Sequence, residues 1–446
     1  MAKTTVQSLE ELFEKREYRA LREVFSQMNN IDLARLLEEL PTERAVLAFR
    51  TLPKDAEMDV FAELDAETQH HIIAGMSEKE VAAVMEDLAV DDAVDMLEEL
   101  PATLVKKVLK LASPETRAQI NQFLRYPEDS AGSIMTAEFT DLHSMLVEDA
   151  IKRIRRVGED RETIYTCYVM DDQRHLDGVV TVKDLLLAQD GEKVENLMEP
   201  DVISVQTTSD QEEAVRIMVK YDLISLPVVD GENRLVGIVT VDDAVDVLRE
   251  EDTEDFEIMN AMAPSERPYL KTGVFTLARN RFGWLLILMV SAMFTGSILG
   301  HYEPIYVTLP LLVTFIPMLT GTGGNAGSQS STMIIRGIAL GEVRLGDFFT
   351  VLWKEMRISV LVGVVLAIVN FVRMLIFYPG SGLVSLTVSL ALVGAVLFAK
   401  VIGGTLPILA KACRLDPALL AAPVITTVVD ALTLVLYFNL ARVLLL

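Results

Sequence analysis

The chain has 446 residues, 51% of them hydrophobic, and a formal net charge of −25 at pH 7. That length suits about two to four domains, and the negative charge excludes nucleic acid as a partner, whose phosphates it would repel. The charge is uneven: residues 1–280 hold 59 acidic against 30 basic side chains, whereas 281–446 hold 6 against 10. Almost every long apolar run follows Arg281. An acidic, water-exposed part therefore precedes a membrane part. The two cysteines, Cys167 and Cys413, cannot form a disulfide framework and suit a reducing compartment. The opening MAKTTVQSLEELFEKREYRA has no apolar core of a secretory signal, so the acidic part is expected to stay where it is made. Five histidines, of which only His70 and His71 are adjacent, offer no His–Cys metal spacing. Nothing in these patterns points to an enzyme.

Residues 1–126 read as an all-helical domain. Leu33, Leu36, Leu37 and Leu40 recur at helical spacing, and prolines or acidic caps end each run. The string LEELP occurs at 37–41 and again at 97–101, with Leu52-Pro53 between them. Such repetition predicts helix pairs stacked into a small superhelix, each covering its neighbour's apolar face.

From about residue 130 the pattern becomes alternating β and α, again in two copies. IMTAEFTDL, VEDAIKRI and TIYTCYVMDDQRHLDGVVTVKDLL of residues 134–187 correspond to LMEPDVISV, QEEAVRIM and ISLPVVDGENRLVGIVTVDDAV of 197–245. Gly178 and Gly237 are 59 residues apart, as are Asp184 and Asp243. The tandem, spanning 130–195 and 196–245, is similar to a pair of cystathionine-β-synthase (CBS) domains, which implies a regulatory module binding nucleotides or ions. An acidic linking helix follows over 241–270, with six of the eight residues from Glu250 to Glu257 acidic. Carboxylates this dense repel at helical spacings, so the run is either a solvated face or a divalent-cation site.

Residues 271–446 form the expected membrane domain, since a bilayer core takes roughly 20 apolar residues per helix. Five spans are expected at 282–300, 305–335, 358–378, 384–410 and 418–440. Arg267, Lys271, Arg279 and Arg281 precede the first. Arg336, Arg344, Lys354 and Arg357 lie between the second and third, and Lys411 and Arg414 follow the fourth. The intervening HYEP and PGSG loops carry no Lys or Arg. This bias predicts a cytosolic N-terminus and an extracytoplasmic C-terminus, with Arg373 snorkelling to the far interface. The second span turns into LTGTGGNAGSQSSTMIIRG, a poor lipid-facing sequence that suits irregular backbone or close packing along a water-filled cavity. The fifth holds Asp430, the only acid within these spans, with Thr426 one turn earlier. A carboxylate at mid-bilayer costs about 2.5–3.5 kcal/mol on insertion scales and by default marks an ion pathway. A structural ion pair with Lys400 is the alternative.

The order of these parts, with TGTGGNAGSQSS and DPALLAAPVITTVVD in the spans, resembles the MgtE family of magnesium channels over essentially the whole chain. The resemblance implies a multidomain membrane protein: a helical superhelix domain, an α/β CBS pair, a linking (plug) helix and a five-span α-helical domain. It implies a homodimer in a bacterial inner membrane, importing Mg²⁺ through a pore between the membrane halves, with Mn²⁺, Co²⁺ and Ni²⁺ as further candidate ions. The family's pore carboxylate falls on Asp430 and its loop acid on Asp416. Its small and polar pore residues fall on Gly324, Asn325, Gly327, Gln329, Thr332 and Thr426. Cytosolic Mg²⁺ sensing, closing the pore, falls on Asp59, Asp91 and Asp95 of the helical domain. It also falls on Gly132, Asp210, Glu212 and Asp222 of the CBS region, and on Asp243, Asp246, Glu251, Glu254 and Asp255 of the plug helix. The family's CBS pair also binds ATP, for which Asp184 matches the ribose-binding acid. Lys400 departs from the Asn of many relatives, and Ala422 stands where Asn is frequent; a cation beside the pore would slow conduction or shift selectivity. Two other readings remain: a membrane-anchored nucleotide sensor without transport, and a proton-coupled carrier using Asp430.

Overall fold

A computed structural model describes residues 12–446 except 14, 55, 266–268, 271 and 421. Residues 1–11 and Glu14 of the segment read for a signal, together with Arg267 and Lys271 of the charge bias, lie outside the described residues. The chain divides into two compact units, 1–248 and 249–446.

The first unit opens with short helices: α1 (Tyr18–Phe25), α2 (Asn30–Glu39), α3 (Thr42–Phe49), α4 (Glu57–Ala62), α5 (Ala66–Gly75), α6 (Glu78–Asp87), α7 (Val90–Glu99), α8 (Ala102–Leu111) and α9 (Pro114–Phe123). Helices pack against the second one along, as α2 on α4, α3 on α5, α5 on α7, α6 on α8 and α7 on α9. Fully buried Leu21, Phe25, Leu33, Leu37, Phe49, Phe61, Ile72 and Ile73 join these layers into one superhelical core. Both LEELP strings mark the same corner. Leu40 and Leu100 close α2 and α7 in extended backbone, and Pro41 and Pro101 open α3 and α8. Proline suits that place because a helix's first N–H has no intrahelical partner. Ser77 and Glu80 form a capping box on α6, and Arg50 grips both Glu80 and the Gly75 carbonyl.

The two β/α copies follow. The first comprises β1 (Phe139–Leu142), α10 (Val147–Val157), β2 (Thr163–Met170), β3 (Leu176–Thr181), α11 (Val182–Leu187) and α12 (Val194–Leu197). The second comprises β4 (Val205–Gln206), α13 (Gln211–Tyr221), β5 (Ser225–Val229), β6 (Leu235–Thr240) and α14 (Val241–Met259). In each three-stranded sheet the first strand runs parallel to the second, and the second antiparallel to the third. The repeated glycines explain how the copies lock. A Cβ on Gly237 would meet Met135 Sδ at 2.6 Å, and one on Gly178 would meet Met198 Sδ at 2.8 Å. Met135 belongs to the strand-leading segment of the first copy and Gly237 to the second. Thr136 pairs with Ile238 in the same exchange, and Val179 with Glu199 in its counterpart.

In the second unit, the helices are α15 (Val274–His301), α16 (Glu303–Thr308), α17 (Ile316–Ala339), α18 (Phe348–Phe377), α19 (Gly382–Ala412) and α20 (Ala422–Leu445). Among the described residues, four segments are long and apolar enough to cross a membrane: Val274–His301, Leu345–Phe377, Gly382–Ala412 and Pro423–Leu445. α17 is long enough but too rich in glycine and hydroxyls to stand with them. It packs between α19 and α20, and α19 also packs on α18. The expected second span is broken into pieces. α16 ends at Thr308, Pro310–Phe315 forms a 3₁₀ turn, and α17 begins with Pro317 in its first turn. Irregular backbone therefore lies before the Gly-rich string, which itself is continuous helix. Pro310 and Pro317 suit these breaks, each lacking an N–H and standing in the first turn of its helix. Buried Tyr437 on α20 donates to the Leu312 carbonyl (2.9 Å), satisfying one group of that turn.

Candidate functional site

α17 is two-faced. Gly323, Gly324, Gly327, Ser330 and Ser331 are buried, whereas Gly321, Asn325, Gln329, Thr332 and Arg336 lie on an exposed face at intervals of three and four residues. The buried face explains its glycines. A Cβ on Gly324 would meet Thr426 Cγ2 at 2.9 Å, and one on Gly327 would meet Ile425 Cγ2 at 2.8 Å. Gly403 of α19 approaches still closer, its Cβ position being 2.3 Å from the Gly327 carbonyl oxygen. Such small-residue contacts are how membrane helices approach without a hydrophobic driving force. Of the sequence-derived pore residues, Gly324 and Gly327 thus serve packing, and Asn325, Gln329 and Thr332 form the polar stripe.

On α20, Thr426 Oγ1 donates to the Pro423 carbonyl (2.8 Å). Asp430, one turn along, is half-buried and has no hydrogen-bonding or ionic partner among the described residues. Lys400 does not pair with it; its Nζ donates to Ser330 Oγ at 3.3 Å. Asp416 accepts from the Ala418 N–H (2.8 Å), capping the 3₁₀ turn Pro417–Leu420. Arg373, exposed on α18, donates to Asn370 Oδ1 (2.9 Å), and Asn370 reaches Ser389.

A second constellation is acidic and lies within 1–248. Asp91 and Asp92 open α7, and Asp91 Oδ1 is buried without a hydrogen-bond partner. Burial pushes the Asp91 carboxyl up to about 6, with the negative charges of Asp243 and Glu138 adding to it. Burial pushes Asp92 further, to about 7, aided by Asp91, Asp95, Asp243 and Glu162. Asp243 and Glu162 are raised too, by burial first and then by neighbouring carboxylates. Asp59 contributes repulsion on Glu162 and accepts from Asn30 Nδ2 (2.9 Å). The fold therefore brings Asp59, Asp91, Asp95 and Asp243 to one electrostatic neighbourhood. It adds Asp92, Glu138 and Glu162, which pattern reading missed because their neighbours are remote in sequence. Among the described residues, no three His, Cys, Asp or Glu side chains converge as a ready metal cage. The groups act on one another through their charges.

The remaining candidates have local roles. Gly132 donates its N–H to the Thr207 carbonyl (3.0 Å), where a Cβ would strike the Tyr126 ring at 2.8 Å. Asp210 caps α13 by accepting from the Glu212 N–H (2.9 Å), and Asp222 ends it in left-handed backbone (φ 54°). Asp184 and Asp243 hold equivalent places, each accepting from the threonine that precedes its helix, Thr181 or Thr240. Asp246, Glu251, Glu254 and Asp255 lie along α14. His70 and His71 stack on α5 with ring centroids 5.6 Å apart.

A polar helix clasped in an apolar bundle, with a half-buried carboxylate on a neighbouring helix and a CBS pair earlier in the chain, defines a membrane protein of the ion-transport class. Comparison with known proteins narrows this. Residues 316–440 match the family profile described as MgtE, divalent cation transporter. Residues 28–129 match the MgtE intracellular N domain, and 131–191 and 194–250 match CBS domains. The magnesium transporter MgtE of Thermus thermophilus is 37% identical over 443 residues, covering 98% of both chains. That of Bacillus subtilis is 30% identical, covering 95% of this chain and 93% of its own. Among solved structures, the cytosolic domain of the Mg²⁺ channel MgtE in complex with ATP aligns with a TM-score of 0.52 and 38% identity. It covers 54% of this chain and 99% of its own. The soluble part of a magnesium transporter aligns at 0.53 with 29% identity, over 56% of this chain and 99% of its own. The chain belongs to the MgtE family.

Proposed function

We propose that the protein is a dimeric Mg²⁺ channel whose conduction path runs along the polar stripe of α17 and past Asp430. The stripe carries the reading: Asn325, Gln329 and Thr332 stand exposed on a helix locked into a membrane bundle, where lipid cannot satisfy them. A second copy across a symmetry axis would enclose the stripe and supply a second Asp430. Hydroxyl, amide and carboxylate oxygens suit an ion that sheds its water reluctantly and favours octahedral oxygen ligands. The names of the relatives, magnesium transporters over nearly the full chain, support the choice of ion. Mn²⁺, Co²⁺ and Ni²⁺ compete at the same oxygens.

Counting α17 as a span gives five, so the termini lie on opposite sides, with the acidic N-terminal part in the cytosol by the Lys/Arg bias. A tag after Leu446 is then reachable from outside intact cells, and its protection would remove this topology. Cytosolic Mg²⁺ closes the channel by bridging Asp91, Asp92, Asp243 and their neighbours, with the carboxylates of α14 as the mechanical link. ATP at the CBS pair, near Asp184, is a second ligand, supported by the ATP complex of the 38%-identical cytosolic domain.

Purified protein in liposomes tests the transport reading. Mg²⁺ flux is expected from the wild type and is reduced by about tenfold or more in Asp430→Ala, folded to the same extent. Flux that needs a proton gradient would favour the carrier. No flux under any gradient would leave a membrane-anchored sensor.

A further inference from the structure

Lys400 is only 7% exposed, inside the helical bundle. Its Nζ donates to Ser330 Oγ on α17 (3.3 Å), and Ser330 Oγ donates in turn to Glu355 Oε2 on α18 (2.7 Å). An ammonium, a hydroxyl and a carboxylate thus connect α19, α17 and α18. Gly404, one turn from Lys400, leaves room for this arrangement: a Cβ there would lie 2.7 Å from Glu355 Cγ. At about 1.5 Å of rise per residue, the three groups sit roughly 10–18 Å from the same end of the bundle. Asp430 sits at a similar depth on α20.

Either charge alone would be expensive in so apolar a place, and each offsets the other through the serine. The chain of bonds is also directional. Ser330 follows Gln329, and the two project about 100° apart on α17, one buried and one exposed. Turning α17 by a single residue, about 100°, would pull Ser330 away from both partners and rotate the polar stripe by the same angle. We infer that Lys400 and Glu355 form a charge-balanced strut that, through Ser330, sets the rotation of α17 and hence the aim of Asn325, Gln329 and Thr332. They are positioning residues for ion passage. Lys400 does not act as a free cation facing the path, because its charge is answered by Glu355 behind the helix.

The strut rests on the transport reading for its consequence but not for its detection. Full-length protein is compared as wild type, Lys400→Met, Glu355→Gln, the double variant and Ser330→Ala, by thermal melting and by Mg²⁺ and Co²⁺ flux in liposomes. Each single charge variant leaves one charge unanswered, the buried Lys400 ammonium or the half-buried Glu355 carboxylate, so flux per folded protein falls about tenfold or more, and the double variant returns to within about threefold of wild type. Ser330→Ala keeps both charges but frees α17, and the Mg²⁺ to Co²⁺ flux ratio changes by about threefold or more. A brace without influence on the path would leave that ratio unmoved and overturn the inference. So would a double variant no better than the worse single, or a Lys400→Met channel that conducts as well as or better than wild type. If a single variant does not fold, the double variant and Ser330→Ala decide. If the wild type itself carries no ion, the transport reading fails, and rescue of melting in the double variant still reads the strut.

Discussion

Two neighbouring carboxyls on one helical turn, Asp91 and Asp92, hold protons at pH values where a free aspartate has lost them. Asp92 moves from a usual 3.8 to about 7 in the fold, through burial first and like charge second. The folded state therefore binds this proton more tightly than the unfolded chain. Its contribution to stability is complete below about 3.8 and is lost as pH rises from there through about 7. Without divalent ions, the melting temperature of the acidic part should fall between about pH 5.5 and pH 8. Asp92→Asn should flatten that slope, and millimolar Mg²⁺ should lift the pH 8 value most, since a cation replaces the missing protons as counter-charge. Melts of the full-length protein in chelator and in Mg²⁺ at both pH values check this; parallel slopes for wild type and variant would sink it. Asp92 could not be singled out from its own surroundings, where it is one acid among many. What raises it is burial first, then the charges of its helix neighbours Asp91 and Asp95, and then Asp243 and Glu162, which the fold brings near.

At the level of helices and strands, repetition and hydropathy were informative. The LEELP corners, the 59-residue offset of the two CBS copies and four of the apolar spans correspond to elements seen in the structure. Counting apolar residues was blind to backbone breaks and to where a helix enters hydrocarbon. It ran α16, a 3₁₀ turn and α17 together as one span, because prolines inside an apolar run barely alter its mean hydropathy. The apolar run of the third span opens only at 358, whereas α18 starts ten residues earlier and so takes in Glu355. The glycines of α17, which suit either irregular backbone or close packing by sequence, make a tight crossing of regular helices with Gly403 of α19, a residue the pattern does not mark. Gly403→Leu should be among the most damaging substitutions in the bundle. Its side chain would have to enter the 2.3 Å approach to the Gly327 carbonyl, where overpacking costs typically about 1–3 kcal/mol and more against backbone. Loss of thermal stability with separation of α17 from α19 is the expected result, read by melting and by cross-linking of cysteines placed on the two helices. Unchanged melting would mean that the crossing is looser than described.

Across the whole molecule, 59 acidic against 30 basic side chains lie in residues 1–280, and in the proposed dimer repulsion between the two copies would add to the repulsion within each. Long-range repulsion of that size favours separated domains until cations condense on them. A ligand moves such an equilibrium only by its differential affinity for the two states, so several weak Mg²⁺ sites acting together would give a steep response. Mg²⁺ should then protect residues 126–132 and 250–265 from protease. Removing residues 1–126 should leave a channel that conducts at Mg²⁺ concentrations which close the full-length protein. Closure of both at the same concentration would reduce the acidic domain to solvated surface.

The exchange of Met135 and Met198 between the two CBS copies has a consequence for how the chain is made. Thr136 waits for Ile238, about a hundred residues later, before its backbone is paired, and Met135 waits equally long for Gly237. At typical synthesis rates that is about 5–20 s during which the first copy has an unfinished edge and a bare methionine. Its completion comes only as the stretch just before α15 is being translated. Biogenesis thus places the closing of the CBS pair shortly before the arrival of the first membrane helix, and a chain interrupted before residue 238 leaves the first copy with its edge open.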